Sequence, residues 1–274
     1  MSEDLQQLLL NLKLKAMAAR LEELLGAPEQ AGTPLKTLLT QLFRAEWEAR
    51  QQAALAARLR RAHMPELLTL ESFPFKVQTG VKERQIRTFA QLDFIPKAEN
   101  IVFIGETGVG KTGLISGLVL KAVQNGYRAL FIKAQDLFDE MYASRADRST
   151  RRLLKSLANV DVPAIDELGY LNIKTEQTNI FSKLMEEHHH RNPTLITTNM
   201  PYAAWQDFLG NRALTQALLS RLRETLPYPH HRGPLLTRAA GLKRINLHNC
   251  VPVTDITERL LRASTGGITP LTMA

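Results

Sequence analysis

The chain has 274 residues and a net charge of +8, because 35 lysines and arginines outnumber 27 acidic residues. Hydrophobic residues make up 44% and charged residues 23%, which is the usage of a folded protein and excludes wholesale disorder. Its one cysteine, Cys250, excludes an intrachain disulfide, and no apolar run approaches the roughly 18 residues that a membrane span needs. We therefore expect a cytoplasmic protein with no membrane association. The positive charge favours a polyanionic partner.

The N-terminal part of the chain is predicted to be a small all-α domain over residues 1–70. Apolar residues recur at three- and four-residue spacing over Leu5–Leu25, which predicts one amphipathic helix from residue 1 to about residue 25. A second helix is predicted from Thr33 to about Ala62, because neither glycine nor further proline interrupts the pattern between Pro34 and Pro65.

Short apolar strands alternate with predicted helices from about residue 100 onwards. The strands are predicted over residues 101–104, 128–132, 160–165 and 194–198. This alternation predicts an α/β fold in which helices cover both faces of a central parallel sheet. Pro163 interrupts the third strand, and because proline removes a ladder donor we expect this strand to start only at Ala164. We assign residues 71–240 to this domain and residues 241–274 to a C-terminal tail of uncertain structure.

The residues after the first predicted strand match the phosphate-binding pattern G-x-x-x-x-G-K-[ST]. They are Gly105, Glu106, Thr107, Gly108, Val109, Gly110, Lys111 and Thr112. Glycines let backbone N–H groups turn inward around a phosphate, and the helix that follows directs its positive end at the anion. Lys111 would contact the β- and γ-phosphates of ATP, and Thr112 would offer its hydroxyl to Mg²⁺. A strand before the loop and a helix after it are the context that this motif requires.

Polar side chains follow the next two central strands. Asp166 ends the strand over residues 160–165 and would hold Mg²⁺, while Glu167 would orient or deprotonate the attacking water. Asn199 follows the strand over residues 194–198 and would contact the γ-phosphate or that water. A paired Asp-Glu favours hydrolysis over transfer to a bound acceptor, so a small-molecule P-loop kinase is the weaker alternative. A solvated acidic turn and an asparagine in an ordinary turn are the simpler interpretations.

Two groups of basic residues are candidates for contacts with DNA. Arg58 and Arg61 lie in the second half of the long N-terminal helix. The other group lies between two predicted elements of the α/β domain and consists of Arg145, Arg148, Arg151, Arg152 and Lys155. Lysine and arginine bind the DNA backbone without reading its sequence. A solvated helix face or loop is the alternative for both groups.

Longer motifs surround these candidate residues. The α/β region contains Ile165-Asp166-Glu167-Leu168-Gly169-Tyr170-Leu171, Ile196-Thr197-Thr198-Asn199-Met200-Pro201 with Trp205, and Ala217-Leu218-Leu219-Ser220-Arg221-Leu222. The N-terminal half contains Leu12-Lys13-Leu14-Lys15-Ala16-Met17, Arg44-Ala45-Glu46-Trp47 with Arg50, and Phe73-Pro74-Phe75. Through these motifs residues 5–230 resemble the IstB-like AAA+ ATPases. These are transposition helper proteins of insertion sequences and are related to the DnaC helicase loader.

The resemblance implies an AAA+ fold and a homo-oligomer whose sites for ATP and Mg²⁺ lie between subunits. In such sites an arginine of the neighbouring subunit completes the catalytic group, and Arg221 occupies that motif position here. Arg223 is the next candidate, and an ordinary exposed helix arginine is the alternative for Arg221. The chain departs from the family pattern after about Leu226, so we assign no sensor-2 arginine.

The resemblance also implies a function. It predicts an ATPase that oligomerises on duplex DNA and recruits or stimulates a transposase similar to IstA. In this scheme we assign residues 1–70 to oligomerisation and to binding DNA or a partner. A DnaC-like loader of a replicative helicase is the alternative, because it would share the ATP site but would bind a helicase ring and single-stranded DNA.

Overall fold

The structure is a computed structural model that describes residues 2–26, 34–65, 67–76, 78, 81–169, 173–223 and 242–246. The chain divides into two compact units, Met1–Arg58 and Leu59–Ala274. The division therefore falls earlier than residue 70, where we expected the N-terminal domain to end. Residues after Arg58 already belong to the second unit, in which the backbone N–H of Phe131 donates to the carbonyl of Ala62 at 2.7 Å.

The described part of the N-terminal unit is helical. Its helices are α1 (Ser2–Asn11), α2 (Lys15–Gly26) and α3 (Leu35–Arg61), the last of which continues past the division. The prediction of a single helix from residue 1 to about residue 25 is wrong, because α1 ends at Asn11 and Lys13 adopts a φ of 60°. The predicted second helix is present as α3.

Contacts from α3 explain why the first predicted helix is interrupted. Glu46 is buried, and its carboxylate accepts hydrogen bonds from the backbone N–H groups of Ala16 and Met17 at 3.0 and 3.2 Å. The first N–H groups of a helix have no partner within the helix, so this carboxylate caps the start of α2. The guanidinium of Arg50 donates to Glu46 at 2.8 Å and to the carbonyl of Lys13 at 3.4 Å.

The second unit is built on a parallel sheet. Its described strands are β1 (Asn100–Ile104), β2 (Ala129–Lys133), β3 (Val162–Leu168), β4 (Leu195–Thr198) and β5 (Leu242–Asn246), in the order β2-β3-β4-β1-β5. Every neighbouring pair is parallel. The helices are α4 (Glu83–Phe89), α5 (Lys111–Gln124), α6 (Ala134–Ala146), α7 (Thr150–Ala158), α8 (Thr175–His188), α9 (Trp205–Leu209) and α10 (Arg212–Arg223). The predicted α/β fold class is confirmed.

Two features of the sheet differ from the predictions. β3 starts at Val162, so the expectation that it begins at Ala164 is wrong. Pro163 pairs with Leu130 of β2, whereas pairing with β4 begins only at Ala164, so the proline has a strand on one side and is tolerated there. β5 lies within the segment that we predicted to be a tail, and it pairs with the whole length of β1.

The sheet determines where the candidate site lies. β1, β3 and β4 are neighbours in its centre, and their side chains are buried apart from that of Glu167. The phosphate loop, the Asp-Glu pair and Asn199 all lie at the carboxyl ends of these strands, which is the edge where parallel α/β sheets bind ligands. Among the described helices, none is both long and apolar enough to cross a membrane.

Candidate nucleotide-binding site

The phosphate loop connects β1 to α5. Gly110 precedes α5 and has a φ of 89°, a conformation that glycine adopts without the steric penalty of a Cβ atom. This turn leaves the first N–H groups of α5 directed into the loop, where they favour a bound anion.

Lys111 is buried at the start of α5. Its ammonium group donates to the carbonyl of Gly105 at 2.9 Å and to the carbonyl of Glu106 at 2.7 Å. Burial lowers the pKa of Lys111 below the usual lysine value, and the carboxylates of Asp166 and Glu167 only partly oppose this effect. Because an ammonium group carries three N–H bonds, one donor remains for a phosphate oxygen.

Asp166 lies beside the first turn of α5 and is 1% exposed. The hydroxyl of Thr112 donates to one of its carboxylate oxygens at 2.9 Å, and the hydroxyl of Thr197 donates to the other. Carboxylate and hydroxyl oxygens are hard ligands of the kind that Mg²⁺ prefers. Thr112 and Asp166 therefore lie together and have the right chemistry for the metal site that we predicted.

Glu167 is the exposed member of the Asp-Glu pair. Its φ is 59°, in the left-handed region, and its backbone N–H donates to the hydroxyl of Thr197 at 2.8 Å. The prediction of site residues did not include Thr197. The only signal in the sequence was a threonine in the strand that ends before Asn199.

Asn199 follows β4 and borders the same cavity as Glu167. The Oδ1 atom of Asn199 is buried and makes no hydrogen bond. Gly169 packs directly against this side chain with a φ of 132°, and a Cβ atom there would lie 2.9 Å from both Asn199 Oδ1 and the side chain of Met200. A glycine after Asp166-Glu167-Leu168 therefore lets Asn199 approach the end of β3.

The cavity has a volume of about 390 Å³ and extends from these polar groups to an apolar end. Residues 67–76, which we call the strap, form the apolar end through Leu68, Phe73 and Pro74. The strap packs on α5, where the side chain of Leu70 covers Gly117. The predicted boundary between residues 70 and 71 falls inside the strap, and only the motif Phe73-Pro74-Phe75 marks this segment in the sequence.

Arg221 on α10 is not among the described residues that line the cavity. Its guanidinium lies against α8, 3.4 Å from the hydroxyl of Ser182 and 3.6 Å from the carboxylate of Glu186. The side chain of Arg223 is outside the described residues.

The basic candidates of the α/β unit lie on α6, on α7 and in the turn between them. Arg151, Arg152 and Lys155 are exposed, because α7 buries its leucines instead. Arg151 and Lys155 border a groove of about 860 Å³, whose lining includes Lys183 and Arg191 and also Glu186 and Glu187. The remaining members differ from one another: Arg145 forms an ion pair with Glu176 at 3.3 Å, and Arg148 is exposed in the turn.

Arg58 and Arg61, the N-terminal candidates, lie near the end of α3. Arg61 is exposed and Arg58 is partly exposed. The division between the units falls directly after Arg58, so the two arginines belong to different units.

Comparison with protein families gives a match over most of the chain. The model of the family described as IstB-like ATP binding protein matches residues 7–227. A putative ATP-binding protein of insertion sequence IS21 from Pseudomonas aeruginosa is 31% identical over 219 residues, which cover 80% of this chain and 83% of that protein. A putative ATP-binding protein of insertion sequence IS5376 from Geobacillus stearothermophilus is 28% identical over 222 residues, which cover 81% and 88%.

Solved structures with a similar fold include two replication proteins. The DnaC helicase loader aligns with a TM-score of 0.50 at 20% identity and covers 65% of this chain and 96% of its own. AMPPCP-bound DnaA from Aquifex aeolicus aligns with a TM-score of 0.52 at 20% identity, covering 74% of this chain and 57% of its own. At this level of identity the likeness shows the fold alone, which is that of AAA+ ATPases.

Proposed function

The chain belongs to the family of IstB-like ATP-binding proteins, and from this membership we propose that it is an ATPase that assists the transposition of an insertion sequence. It oligomerises on duplex DNA in the cytoplasm and recruits or stimulates a transposase similar to IstA. The observation that carries the ATPase assignment is the cavity in which the phosphate loop meets Glu167 and Asn199. The printed names of the relatives support the link to insertion sequences.

ATP binding uses the two ends of the cavity differently. The N–H groups of the phosphate loop and the remaining donor of Lys111 bind the phosphates, since both supply positive potential at short range. The apolar surface of the strap receives the base, because a purine ring buries favourably against Leu68 and Phe73. Thr112 and Asp166 would hold Mg²⁺, which when bound would supply positive charge to the phosphates.

Hydrolysis depends on two groups at the polar end. The carboxylate of Glu167 accepts one proton from the attacking water, and the side chain of Asn199, which borders the same cavity, forms a hydrogen bond with that water or with the γ-phosphate. The water oxygen bonds to the γ-phosphorus while the bond to the bridging oxygen breaks, which releases ADP and inorganic phosphate.

The remaining catalytic group comes from a neighbouring subunit. Arg221 acts in trans on the ATP of that neighbour, where it stabilises the charge that develops on the transferred phosphoryl group. Arg221 is not among the described residues that line the cavity of its own chain, which supports a role at the site of a neighbouring subunit. ATP binding therefore favours an oligomer, and hydrolysis resets it.

DNA binding is assigned to the exposed cations. The net charge of +8 and the exposed residues Arg148, Arg151, Arg152 and Lys155 support contacts with the phosphate backbone, and Arg145, Arg58 and Arg61 extend the candidate set. A replicative helicase loader would share the ATP site, and the fold it has in common with DnaC does not separate the two functions.

The test of the ATPase assignment compares Lys111→Ala and Glu167→Gln with Glu140→Gln, a control change at an exposed carboxylate of α6. Lys111→Ala is expected to weaken ATP binding by about 10- to 100-fold, because it removes charge-assisted hydrogen bonds. Glu167→Gln is expected to bind ATP normally and to hydrolyse it on the order of 10²- to 10⁴-fold more slowly, because glutamine cannot accept the proton. Near-normal ATP affinity in the first variant, or normal turnover in the second, would refute these roles.

The wider function is tested by measuring binding and ATPase activity with duplex and with single-stranded DNA. A pull-down of the product of the adjacent open reading frame, with ATP and with ADP, completes the test. A preference for duplex DNA and ATP-dependent capture of a transposase are expected. A preference for single strands together with capture of a helicase would support the loader instead.

A further inference from the structure

We propose that Thr197 is a positioning residue that holds Asp166 and Glu167 in the arrangement needed for hydrolysis, an inference that rests on the proposed ATPase function. Thr197 lies in β4, between β1 and β3, and is fully buried. A buried hydroxyl is costly unless it is hydrogen-bonded. Both partners of this hydroxyl belong to the Asp-Glu pair of β3.

The pairing of β3 with β4 is irregular at this point. Ile165 pairs with Ile196 and Leu168 pairs with Thr198, so two residues of β3, Asp166 and Glu167, lie opposite Thr197 alone. This is a β-bulge, a feature that changes the direction of side chains and is common beside active sites. In a regular strand two consecutive side chains point to opposite faces of the sheet. Here Asp166 lies against Thr112 and Glu167 borders the cavity beside it.

The bulge has a cost that Thr197 offsets. The left-handed φ of 59° at Glu167 is unfavourable for a residue with a side chain, and the pairing of β3 with β4 skips this residue. The Thr197 hydroxyl accepts the Glu167 N–H at 2.8 Å. Because a backbone N–H can only donate, the hydroxyl hydrogen is left for the carboxylate of Asp166. A single hydroxyl group therefore holds both the backbone conformation of Glu167 and the orientation of the Asp166 carboxylate.

The test compares Thr197→Val, which removes the hydroxyl and keeps the shape, with Thr197→Ser, which keeps the hydroxyl. Thr178→Val is the matched control, because Thr178 is also buried and its hydroxyl donates to the carbonyl of Leu209 at 3.1 Å, away from the Asp-Glu pair. Each variant is measured as the full chain for ATP affinity, for kcat and KM with Mg²⁺, and for amide hydrogen exchange at Glu167. Thr197→Ala carries the same expectation as Thr197→Val and replaces it should the valine variant not fold.

Thr197→Val is expected to lower kcat by about 10- to 100-fold with little change in KM, as for residues that orient a reacting group. The Glu167 amide is expected to exchange about 5- to 10-fold faster, because one hydrogen bond is lost. Thr197→Ser is expected to stay near wild type in both measurements, and Thr178→Val is expected to keep both values even where it lowers the melting temperature.

Unchanged amide exchange at Glu167 in the Thr197→Val protein overturns the inference, whatever the rates. The same holds if Thr197→Ser is as slow as Thr197→Val, or if Thr178→Val loses as much kcat. A wild-type protein without ATPase activity overturns the proposed function instead, and the exchange measurement then decides the role of Thr197 in holding the bulge.

Discussion

Asp166 and Glu167 are neighbours in the chain, yet their side chains have opposite surroundings. Asp166 is buried against two hydroxyl groups, whereas Glu167 is exposed at the cavity. A buried carboxylate that accepts two hydrogen bonds is held in one orientation and suits a metal ligand, while an exposed one is accessible to water and suits a base. The bulge creates this difference.

Glu46 provides a second case in which one side chain determines local structure. Burial raises the pKa of Glu46, but hydrogen bonds from Arg50, Met17 and Ala16 outweigh burial, and the pKa lies below its ordinary value of 4.5. Because the pKa is lower in the folded protein, this carboxylate contributes stability above pH 4.5 that is lost as the pH falls through the folded value.

We therefore predict that Glu46→Gln destabilises the N-terminal unit by about 1–3 kcal/mol near neutral pH, because charge-assisted hydrogen bonds are lost. The difference from wild type should disappear once the pH is well below 4.5, where the wild-type carboxylate is also neutral. Urea unfolding followed by circular dichroism over a pH series measures both effects. Glu48→Gln, an exposed change on the same helix, is the control and should alter little; a pH-independent difference for Glu46→Gln would contradict the assignment.

At the scale of elements, the strap packs against α5 beside the nucleotide cavity. A Cβ atom at Gly117 would lie 2.5 Å from the side chain of Leu70 and 3.2 Å from its backbone nitrogen. At Gly113, one turn earlier on the same helix, a Cβ atom would lie 3.8 Å from Leu68, an ordinary contact. Alanine substitutions at these two glycines therefore distinguish the effect of packing against the strap from the effect of helix propensity.

Gly117→Ala is expected to destabilise the protein by about 1–3 kcal/mol, because overpacking displaces Leu70 and the strap. Gly113→Ala is expected to be neutral or to stabilise by roughly 0.5–1 kcal/mol, because alanine is the better helix former and has room. Thermal unfolding without nucleotide measures both. Equal effects of the two substitutions would show that the strap does not press on Gly117.

At the scale of the whole molecule, the net charge and the exposed arginines make the proposed binding to DNA testable. Replacing Arg151 and Arg152 with alanine should weaken DNA binding without changing sequence preference, because contacts with phosphates carry no sequence information. The slope of log affinity against log salt should fall by roughly 0.9 for each lost contact. Alanine at Arg84 and Arg87, two exposed arginines of α4, is the control. An unchanged slope and affinity would show that Arg151 and Arg152 are solvated surface residues that do not contact DNA.

The oligomer is tested by mixing two inactive variants. Lys111→Ala keeps Arg221 but is expected to bind ATP poorly, while Arg221→Ala keeps the phosphate loop but is expected not to complete the site of its neighbour. ATPase activity should partly return when the two are mixed with DNA, since some interfaces pair an intact loop with an intact arginine. Arg212→Ala, an exposed change on α10, should keep activity alone.

Oligomer size has to be measured in the same mixtures, because failure of assembly would also prevent recovery. If properly mixed oligomers show no recovery, Arg221 does not act in trans, and either Arg223 is the candidate or no arginine completes the site of the neighbour.

Local sequence patterns were sufficient to predict the fold class of this protein and its candidate ATP site. The phosphate loop is contiguous, its glycines and Lys111 act within one turn of chain, and the alternation of strands and helices is a pattern of neighbouring residues. These features predicted the α/β fold, the family resemblance and the residues around the ATP site. Features that depend on contacts between distant parts of the chain had no such signal in the local sequence.

Only the tertiary structure decided where α1 ends, that residues 242–246 join the sheet, that the strap lines the cavity, and that Thr197 contacts the Asp-Glu pair. The hydrogen bonds that cap α2 and hold the bulge join residues 30 positions apart, Ala16 with Glu46 and Glu167 with Thr197. Parallel strands and packed helices bring such residues together only after the chain has folded, so neither periodicity nor a motif predicts these contacts.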